Sequence, residues 1–400
     1  MKILMLTPYL PYPDSSGGQI RTQNLLKHLR KDHQITLFSL IKSDSEKKYV
    51  KYLEKDFCHK VHVFKRPPKP WMLSNILKTG FSALPFLVVR NFSASAKRAI
   101  RKELETESYD LIHVETFYAM PHIPQTNIPI VLVDQTIEYQ VYQHYVNKEA
   151  NPVLRPLLNI DVLKLKYWER YYWRKADKVV AVSAKDKKEM LKLEPSLKVD
   201  IVPNGVNMDL FKQKTNWQDR TPKILFVGNF NWLQNTEAAL RLVKQVLPLV
   251  RKQILNAKAI IVGQHQPKQL KKLKSKHVEI VDLKESDFVS IVNAFINASV
   301  FASPLKGPGG TRLKLLAAMA SKLPTVSSSV GVSGLNVKDK LHVRIENTPE
   351  KMAQAIIDLL KNPNKAQSQA QNAYQFVVKN YDYKNIASKL SKIYNSTTKQ

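Results

Sequence analysis

Two openings of the same design constrain the fold of this chain more than any other feature. KILMLTPY begins at Lys2 and KILFVGNF begins at Lys223. Each is a short apolar run followed by a loop with glycine, and then by leucines and valines at helical spacing. Strand, glycine loop and helix form the first unit of a doubly wound parallel sheet. We therefore predict an α/β chain with two Rossmann-like doubly wound domains.

Further apolar, β-branched runs fit this alternation, because strands covered on both faces lack polar positions. They are 34–40, 111–115, 128–134 and 178–183 in the first half, and 259–263, 278–283, 298–304 and 324–329 in the second. Proline, asparagine and glycine interrupt a strand-like run within 202–211. This predicts a first domain over 1–205, a second over 206–380, and a helix over 381–400 that packs back toward the first domain.

The charge balance is strongly basic. Lysine and arginine total 63 against 33 acidic residues, a formal net charge of +30. Such an excess concentrates polyanions near the protein, although a lysine-rich solvated surface explains it equally well. The sequence has no zinc-ligand set, no RRM-type signature and no helix-turn-helix pattern, so we expect no nucleic-acid partner.

Cysteine usage and hydropathy bear on the compartment. Cys58 is the single cysteine, which excludes a disulfide framework and a cysteine metal cluster. No apolar run reaches the ~18 residues of a membrane span. MKILML continues into PYLPYPD without a small-residue cleavage site and is typical of a first strand. These features predict a cytoplasmic chain.

Peripheral contact with a membrane is a separate hypothesis. Segment 69–86 is apolar, and segment 88–105 carries five cations. Together they could rest on an anionic leaflet at the inner face of a membrane. Alternatively, the apolar side of this region packs on the first domain.

Two glycine-containing segments lie between a predicted strand and the predicted helix that follows it. Gly17 and Gly18 precede a helical pattern, where free N–H groups make an anion site, although an ordinary flexible connection is the alternative. Gly228 and Asn229 follow the first strand of the second domain, where open α/β sheets bind ligands. Asn235 is interpreted mainly as the N-cap of a helix that starts at the next residue.

The stretch GPGGTRLKLLAAMASKLP is the third such loop. Gly309 and Gly310 give a tight turn, and Thr311 offers a hydroxyl. Arg312 and Lys314 place two cations at a helix N-terminus, where the dipole disfavours cations unless an anion is bound. This favours a phosphate site over a solvated basic face.

The order of these motifs resembles the family 4 glycosyltransferases, retaining enzymes of the two-domain GT-B fold. The matching stretches are P-x-P…GG…R (Pro11, Pro13, Gly17, Gly18 and Arg21), VPNGV, GNFNW-x-x-N and GGTRLKLLAAMA-x-x-x-P. They span nearly the whole chain, including the terminal helix. G-T-R-L-K resembles a subgroup that builds extracellular polysaccharides or lipid-linked glycans.

The resemblance implies that two domains face each other across a cleft. A sugar would move, with retention, from a nucleotide-diphosphate sugar to a lipid-linked or saccharide acceptor. The donor-binding residues would be Gly228, Asn229, Gly310, Thr311, Arg312 and Lys314. The loop facing the donor phosphate and the acceptor would contribute Gly17, Gly18 and Arg21. Cations and helix-end N–H groups would stabilise the departing diphosphate. We expect no metal and no cofactor, and no D-x-D pair occurs in the sequence.

The sequence departs from the family pattern on both sides of this site. The family has two glutamates eight positions apart, where this chain has Gly309 and Ala317. The subgroup keeps the second glutamate, which binds the ribose hydroxyls, and its loss costs about ten- to a hundred-fold in affinity. A His-Asn pair of the subgroup is replaced by Gln135 and Thr136.

Two carboxylates are the candidate catalytic residues. Glu138 could orient an acceptor hydroxyl or stabilise positive charge at the anomeric carbon. Asp134 is the other candidate, with a strand-end turn residue as the alternative. His113 and Glu115 also end a strand, where a lone histidine is more often structural. An active glycosyltransferase is the leading hypothesis. The alternatives are a catalytically impaired partner subunit or binding module, and another GT-B enzyme such as a nucleotide-sugar epimerase.

Overall fold

The computed structural model divides the chain into two compact units. The described residues are 1–13, 16–67, 69, 71–148, 150–211, 213–215, 217, 221–284, 287–307 and 313–398. The first unit comprises Met1–Pro203 with Ile386–Gln400, and the second comprises Asn204–Asn385. The division therefore falls two residues before the boundary predicted from the sequence.

Among the described residues of the first unit, seven parallel strands form one sheet. They are β1 (Lys2–Thr7), β2 (Gln34–Ile41), β3 (Lys60–Lys65), β4 (Leu111–Glu115), β5 (Ile130–Asp134), β6 (Lys178–Ala181) and β7 (Val199–Ile201). Their spatial order is β3-β2-β1-β4-β5-β6-β7. In β1, Lys2 lies opposite Gln34 of β2, and Ile3 lies opposite Leu111 of β4.

Helices cover this sheet. They are α1 (Gly17–Leu29), α2 (Val50–Asp56), α3 (Leu73–Gly80), α4 (Phe86–Asn91), α5 (Ala94–Thr106), α6 (Glu138–Lys148), α7 (Arg155–Lys175) and α8 (Ala184–Leu193), with 3₁₀ turns at Asp44–Tyr49 and Phe117–His122. Helix α1 shows why they form where they do. The Ser16 hydroxyl accepts a hydrogen bond from the Gln19 N–H, and the leucines at helical spacing are buried.

The second unit has the same design. Its strands are β8 (Lys223–Val227), β9 (Lys258–Gly263), β10 (Val278–Asp282), β11 (Val300–Ser303), β12 (Thr325–Ser327) and β13 (Arg344–Ile345). They pair in parallel in the order β10-β9-β8-β11-β12-β13. Its helices are α9 (Leu233–Arg241), α10 (Leu247–Arg251), α11 (Lys268–Lys271), α12 (Phe288–Ile296), α13 (Leu313–Ala320), α14 (Pro349–Lys361) and α15 (Pro363–Tyr381), with a 3₁₀ turn at Met208–Leu210 and a π turn at Leu242–Val246. A last helix, α16 (Tyr383–Thr397), begins at the end of this unit and continues into the first unit.

Both faces of each sheet are buried, as the apolar runs predicted. In β8, Ile224 and Phe226 belong to the core cluster that includes Ile356 of α14. Leu225, between them, belongs to the opposite cluster with Leu316 of α13. Both sheets also reverse strand order, at β1/β4 and at β8/β11. The prediction of two Rossmann-like α/β domains is confirmed.

The sequence analysis missed three strands. β3 lies at the edge of its sheet and pairs only with β2, so it lacks the continuous burial on which the strand predictions were based. β7 and β13 are also edge strands, of three and two residues, with one buried position in β7 and none in β13. All ten predicted strands are present, and the eight that were given by range have ends shifted by no more than two residues.

The terminal helix connects to the first unit by specific contacts. From Ile386 onward α16 belongs to that unit. The Ser391 hydroxyl lies 2.7 Å from Nε2 of His33, and Tyr394 Oη lies 2.6 Å from Nδ1 of His113. Within the described part of the chain, no helix combines the length and hydrophobicity required to cross a bilayer.

We expect Gly263→Ala to lower the free energy of unfolding by about 2–4 kcal/mol, because alanine is strained at this positive φ and its Cβ would be overpacked. Gly263 has a φ of 152°, and an added Cβ would lie 1.7 Å from the carbonyl oxygen of Gly228. Urea unfolding measures the effect. Gly80→Ala is the matched control, because no atom lies within 4 Å of its added Cβ. Equal stability of the two variants would contradict the close approach of β8 and β9.

Candidate functional site

A buried carboxylate marks the strand-order reversal in the first unit. Glu115 ends β4, and its Oε2 accepts a hydrogen bond of 2.7 Å from Nε2 of Gln135. Its Oε1 lies 3.1 Å from Nε2 of His113. Burial alone would raise the pKa of Glu115. The bonds from His113 and Gln135, with the charge of Arg21, nevertheless hold that pKa below its usual range. Glu115 is therefore an ionised group in the protein interior.

Glu115 belongs to a longer chain of polar contacts. Gln135 Nε2 also donates to Tyr9 Oη at 2.9 Å, and His113 continues the chain to Tyr394 of α16. We call these five residues (Tyr9, Gln135, Glu115, His113 and Tyr394) the polar seam. The structural interpretation of His113 fits this arrangement, because both of its ring nitrogens are bonded within the seam.

The glycine pair of the first unit lies over the polar seam. Gly17 and Gly18 are the first two residues of α1, not a loop before the helix as we expected. A Cβ on Gly18 would lie 2.6 Å from Tyr9 Oη and 3.1 Å from Gln135 Oε1. A side chain at residue 18 would therefore displace Tyr9 or Gln135 from the seam.

Arg21 lies in the protein interior and not in an open loop. Its side chain is fully buried in α1. One terminal nitrogen donates to the carbonyl of Pro203 at 2.6 Å, and the other donates to the carbonyl of Val202 at 3.0 Å. Arg21 therefore fastens the segment that follows β7. Its contact with a donor phosphate stays a prediction.

Asp134, one of the two candidate catalytic residues, is buried with both carboxylate oxygens occupied. Oδ1 accepts from the backbone N–H of Phe117 at 3.0 Å, and Oδ2 accepts from the indole N–H of Trp173 at 2.5 Å. Burial raises the pKa of Asp134 above its usual range. These contacts give Asp134 a structural role at the end of β5, and its catalytic role stays a prediction.

A third carboxylate, which the sequence analysis did not consider, lies at the start of α6. Glu169 of α7 is fully buried, and its oxygens accept from the backbone N–H groups of Glu138 and Tyr139 at 2.7 and 3.2 Å. It thus satisfies two free N–H groups at the start of that helix. Burial and the charge of Asp134 raise the pKa of Glu169 well above its ordinary value.

Glu138 differs from Asp134 and Glu169 in its exposure and in its hydrogen bonding. It is the first residue of α6 and is only half-buried. Burial and the charge of Asp134 raise its pKa to about 8, against a smaller opposing effect of Arg90. Its carboxyl group makes no hydrogen bond or ion pair with any other described residue. A partly exposed carboxyl group with a pKa of about 8 is suited to proton transfer or to stabilising a positive charge.

In the second unit, the loop after β8 packs tightly against α9. A Cβ on Gly228 would lie 3.0 Å from Cγ of Asn235. Asn235 Nδ2 donates to the carbonyl of Asn229 at 2.7 Å, and Asn229 Nδ2 donates to Gln264 Oε1 at 3.3 Å. The N-cap interpretation of Asn235 is wrong, because α9 begins at Leu233 and Asn235 is buried within it. Its amide instead links this loop to Lys314 of α13.

Lys314 connects α13 to Asn235 of α9. It is the second residue of α13, and its Nζ donates to Asn235 Oδ1 at 2.5 Å. The same ammonium lies 4.7 Å from the centroid of the Phe226 ring. The structure thus brings Lys314 together with the Gly228–Asn229 loop at the β8/β11 reversal. Gly309, Gly310, Thr311 and Arg312 lie outside the described residues.

Ala317 stands where the resemblance implies a glutamate that binds ribose. It is buried in α13 and belongs to a core cluster with Leu225 and Phe301. The position therefore contributes to packing. No set of three or more His, Cys, Asp or Glu side chains is arranged for a metal ion in the described ranges.

The two doubly wound sheets define a two-domain α/β architecture, and comparison with known proteins identifies the family. The profile of glycosyl transferases group 1 matches residues 221–362, and that of glycosyltransferase family 4 matches residues 15–210. The chain belongs to the family 4 glycosyltransferases of the GT-B fold.

Individual relatives are distant but cover nearly the whole chain. A Klebsiella pneumoniae protein described as an uncharacterized 44.6 kDa protein in the cps region is 24% identical, over 98% of this chain and 99% of its own. Sucrose-phosphate synthase from Thermosynechococcus elongatus has a TM-score of 0.72 at 17% identity, over 99% and 98% of the two chains. HepE from Anabaena, solved with UDP and glucose, has a TM-score of 0.66 at 15% identity, over 99% and 100%. These structural likenesses show the fold.

We expect Trp173→Phe to destabilise the protein more at pH 8.5 than at pH 5. Burial already raises the pKa of Asp134, and the N–H of Trp173 opposes this by donating to the carboxylate. Because the change removes that donor, the pKa of Asp134 in the folded state rises further. Below the raised pKa the carboxyl is protonated and the loss is small. Above it, the loss approaches about 1–3 kcal/mol, the penalty for an unsatisfied buried acceptor.

Urea unfolding at the two pH values measures this difference. Trp168→Phe is the matched control, because its indole N–H donates to the carbonyl of Ala83 at 2.8 Å, a partner that does not titrate. A pH-independent loss in the Trp173 variant would contradict an ionisable partner at that bond.

Proposed function

We propose that this enzyme is a retaining glycosyltransferase in cell-surface glycan synthesis. It moves a sugar from a nucleotide-diphosphate sugar to a lipid-linked or saccharide acceptor. The second unit binds the donor, and the first unit binds the acceptor. The enzyme works in peripheral contact with an anionic membrane.

One observation carries the donor assignment: Lys314 is held at the strand-order reversal of the second sheet. Asn235 orients the Lys314 ammonium, and Asn235 is itself fixed on the Gly228–Asn229 loop. A cation at the start of a helix is unfavourable for the dipole and becomes favourable when an anion binds there. The diphosphate of a nucleotide sugar supplies that anion.

The chemistry requires charge stabilisation at the leaving group. When the bond from the anomeric carbon to the diphosphate oxygen breaks, negative charge grows on that oxygen. A preorganised ammonium stabilises this charge more in the transition state than in the ground state. Lys314, with Arg312 beside it in the sequence, supplies that stabilisation without a metal ion in our proposal.

Glu138 is the acceptor-side group in this proposal. Its accessible carboxylate accepts the hydrogen bond of the attacking hydroxyl, or faces the positive charge at the anomeric carbon. Asp134 and Glu169 contribute by keeping its pKa high and its backbone fixed. The polar seam supports the Gly18 end of α1.

The comparisons support the glycan class of substrate. The relative from Klebsiella pneumoniae is named for the cps region. TarM of S. aureus, which shares the fold at a TM-score of 0.67 and 11% identity, was solved with UDP, α-GlcNAc-glycerol and fondaparinux. HepE was solved with UDP-glucose as well as with UDP and glucose.

A second candidate function is a binding subunit with impaired transfer. Ala317 favours it, because the position of the ribose-binding glutamate is filled by core packing. Gln135 favours it too, because its amide is committed to Glu115 and Tyr9 within the polar seam. A subunit of this kind would bind a nucleotide or glycan without turning it over.

We expect Lys314→Ala to weaken nucleoside-diphosphate binding by about ten- to a hundred-fold, the usual range for a lost charge-assisted hydrogen bond. Calorimetry with UDP and GDP measures this change and identifies the base. Lys351→Ala, an exposed lysine of α14, is the matched control and should bind as the wild type does. Equal affinity of the Lys314 variant and the wild type would remove that residue from the donor site.

We expect kcat/KM to rise with pH through about 8, because Glu138 acts in its ionised form and its pKa is raised to that value. Glu138→Gln should lower kcat/KM by about 10²–10⁴-fold and remove this limb of the profile. Glu105→Gln, at an exposed site of α5, should leave the profile unchanged. A rate that falls as pH rises through 8 would show instead that the protonated carboxyl is the active form.

A further inference from the structure

Helix α3 has its apolar face directed outward. Leu73, Ile76 and Leu77 lie on one side of the helix, and all three are exposed, Leu73 by 70%. The buried side chain of this helix is polar: Asn75 donates to the carbonyl of Lys69 at 3.4 Å. A surface helix normally buries its apolar stripe. In α3 the stripe is left uncovered by the described residues.

Large aromatic side chains flank this helix. Phe81, directly after α3, is 90% exposed, and Trp71, two residues before its start, is 67% exposed. Trp71 is held in place by stacking on the buried ring of Phe86, with 4.8 Å between centroids. The segment 71–81 therefore presents a row of exposed apolar side chains to its surroundings.

Helix α7 has the same property on one of its two sides. Val162, Leu165 and Trp173 fill its buried side. The opposite side carries Leu157, Ile160, Leu163 and Tyr167, of which Leu157 and Leu163 are each 67% exposed. When a helix is apolar on both sides and one side is exposed, that exposed side is suited to bind a partner outside its own domain.

Hydrogen bonds join these two exposed faces. Nζ of Lys164, on α7, donates to the carbonyls of Thr79 and Ser82 at 2.8 and 2.7 Å. Trp168 Nε1 donates to the carbonyl of Ala83 at 2.8 Å. The end of α3 and the middle of α7 are therefore neighbours. We call the exposed apolar side chains of 71–81 and 157–167 the apolar platform.

The charges around the apolar platform have one dominant sign. Lys69 and Lys78 are exposed, and the segment 69–86 contains no acidic residue. Within 157–167, Lys164 and Lys166 accompany one carboxylate, Asp161, which accepts a hydrogen bond from the Phe86 N–H. The whole chain carries a net charge of +30. The partner of this surface is therefore apolar at its centre and anionic at its rim.

We propose that the apolar platform inserts into the headgroup region of an anionic lipid bilayer. Apolar helix faces rimmed by lysine bind at this depth, and tryptophan and tyrosine prefer the membrane interface. The proposal gives a location to the membrane contact named in the proposed function, and it does not depend on glycosyl transfer.

Sedimentation with phosphatidylglycerol and phosphatidylcholine vesicles tests this proposal on the full chain. We expect the wild type to bind phosphatidylglycerol vesicles at low salt and phosphatidylcholine vesicles at least tenfold more weakly. A platform variant (Leu73→Gln, Phe81→Ser, Leu157→Gln and Leu163→Gln) should lose at least tenfold in vesicle affinity. Leu255→Gln with Val289→Gln is the matched control, because these second-unit side chains are 76% and 71% exposed, and it should bind as the wild type does.

Three results would overturn the proposal. One is a wild type that stays in solution with anionic vesicles at low salt. Another is a platform variant that binds as well as the control, which would assign vesicle binding to the general positive charge. The third is a wild type that dimerises, with a monomeric platform variant and no vesicle binding, which would assign the platform to a second copy. Nucleotide binding, measured in parallel, reports separately on folding and on the proposed function.

Discussion

Parallel pairing of every strand is the constraint on which the rest of this structure depends. It brings all strand carboxyl ends to one edge of each sheet, and the reversals at β1/β4 and β8/β11 open a crevice at that edge. Glu115 and Asp134 reach this edge in the first sheet because they are the last residues of their strands. In the second sheet, the loop after β8 and the start of α13 meet there through Asn235 and Lys314.

Burial of charge then decides which of these groups is available for chemistry. An unpaired ion in the interior is unfavourable, so Glu115 and Arg21 each have hydrogen-bond partners. Asp134 and Glu169 lie in the interior as well, with donors at both oxygens. Glu138 is half-buried, has a raised pKa and makes no such bond with the described residues. This contrast between neighbouring carboxyl groups supports Glu138 as the reactive one.

The sequence was sufficient to predict the fold, because repeated openings and continuous apolar runs are local signals that a parallel sheet requires. The polar seam could not be predicted, since His113 and Tyr394 are separated by 281 positions in the chain. Glu169 was missed for the same reason, because nothing local to α7 indicates that it caps α6. The periodicity of α3 indicates an amphipathic helix and does not say which side faces outward. The sequence was enough to show that residue 317 has no carboxylate, whereas only the structure shows that Ala317 is packed in the core.

The most direct test of this account is whether the purified chain transfers sugar. A labelled nucleotide sugar, chosen by the base that binds, is incubated with a lipid-linked glycan extract, and the anomeric configuration of the product is determined by NMR. The account predicts a labelled glycan that keeps the configuration of the donor. A chain that binds the nucleotide sugar and yields no glycan product would contradict it and assign this protein to the binding subunits. A product of inverted configuration would contradict the retaining mechanism.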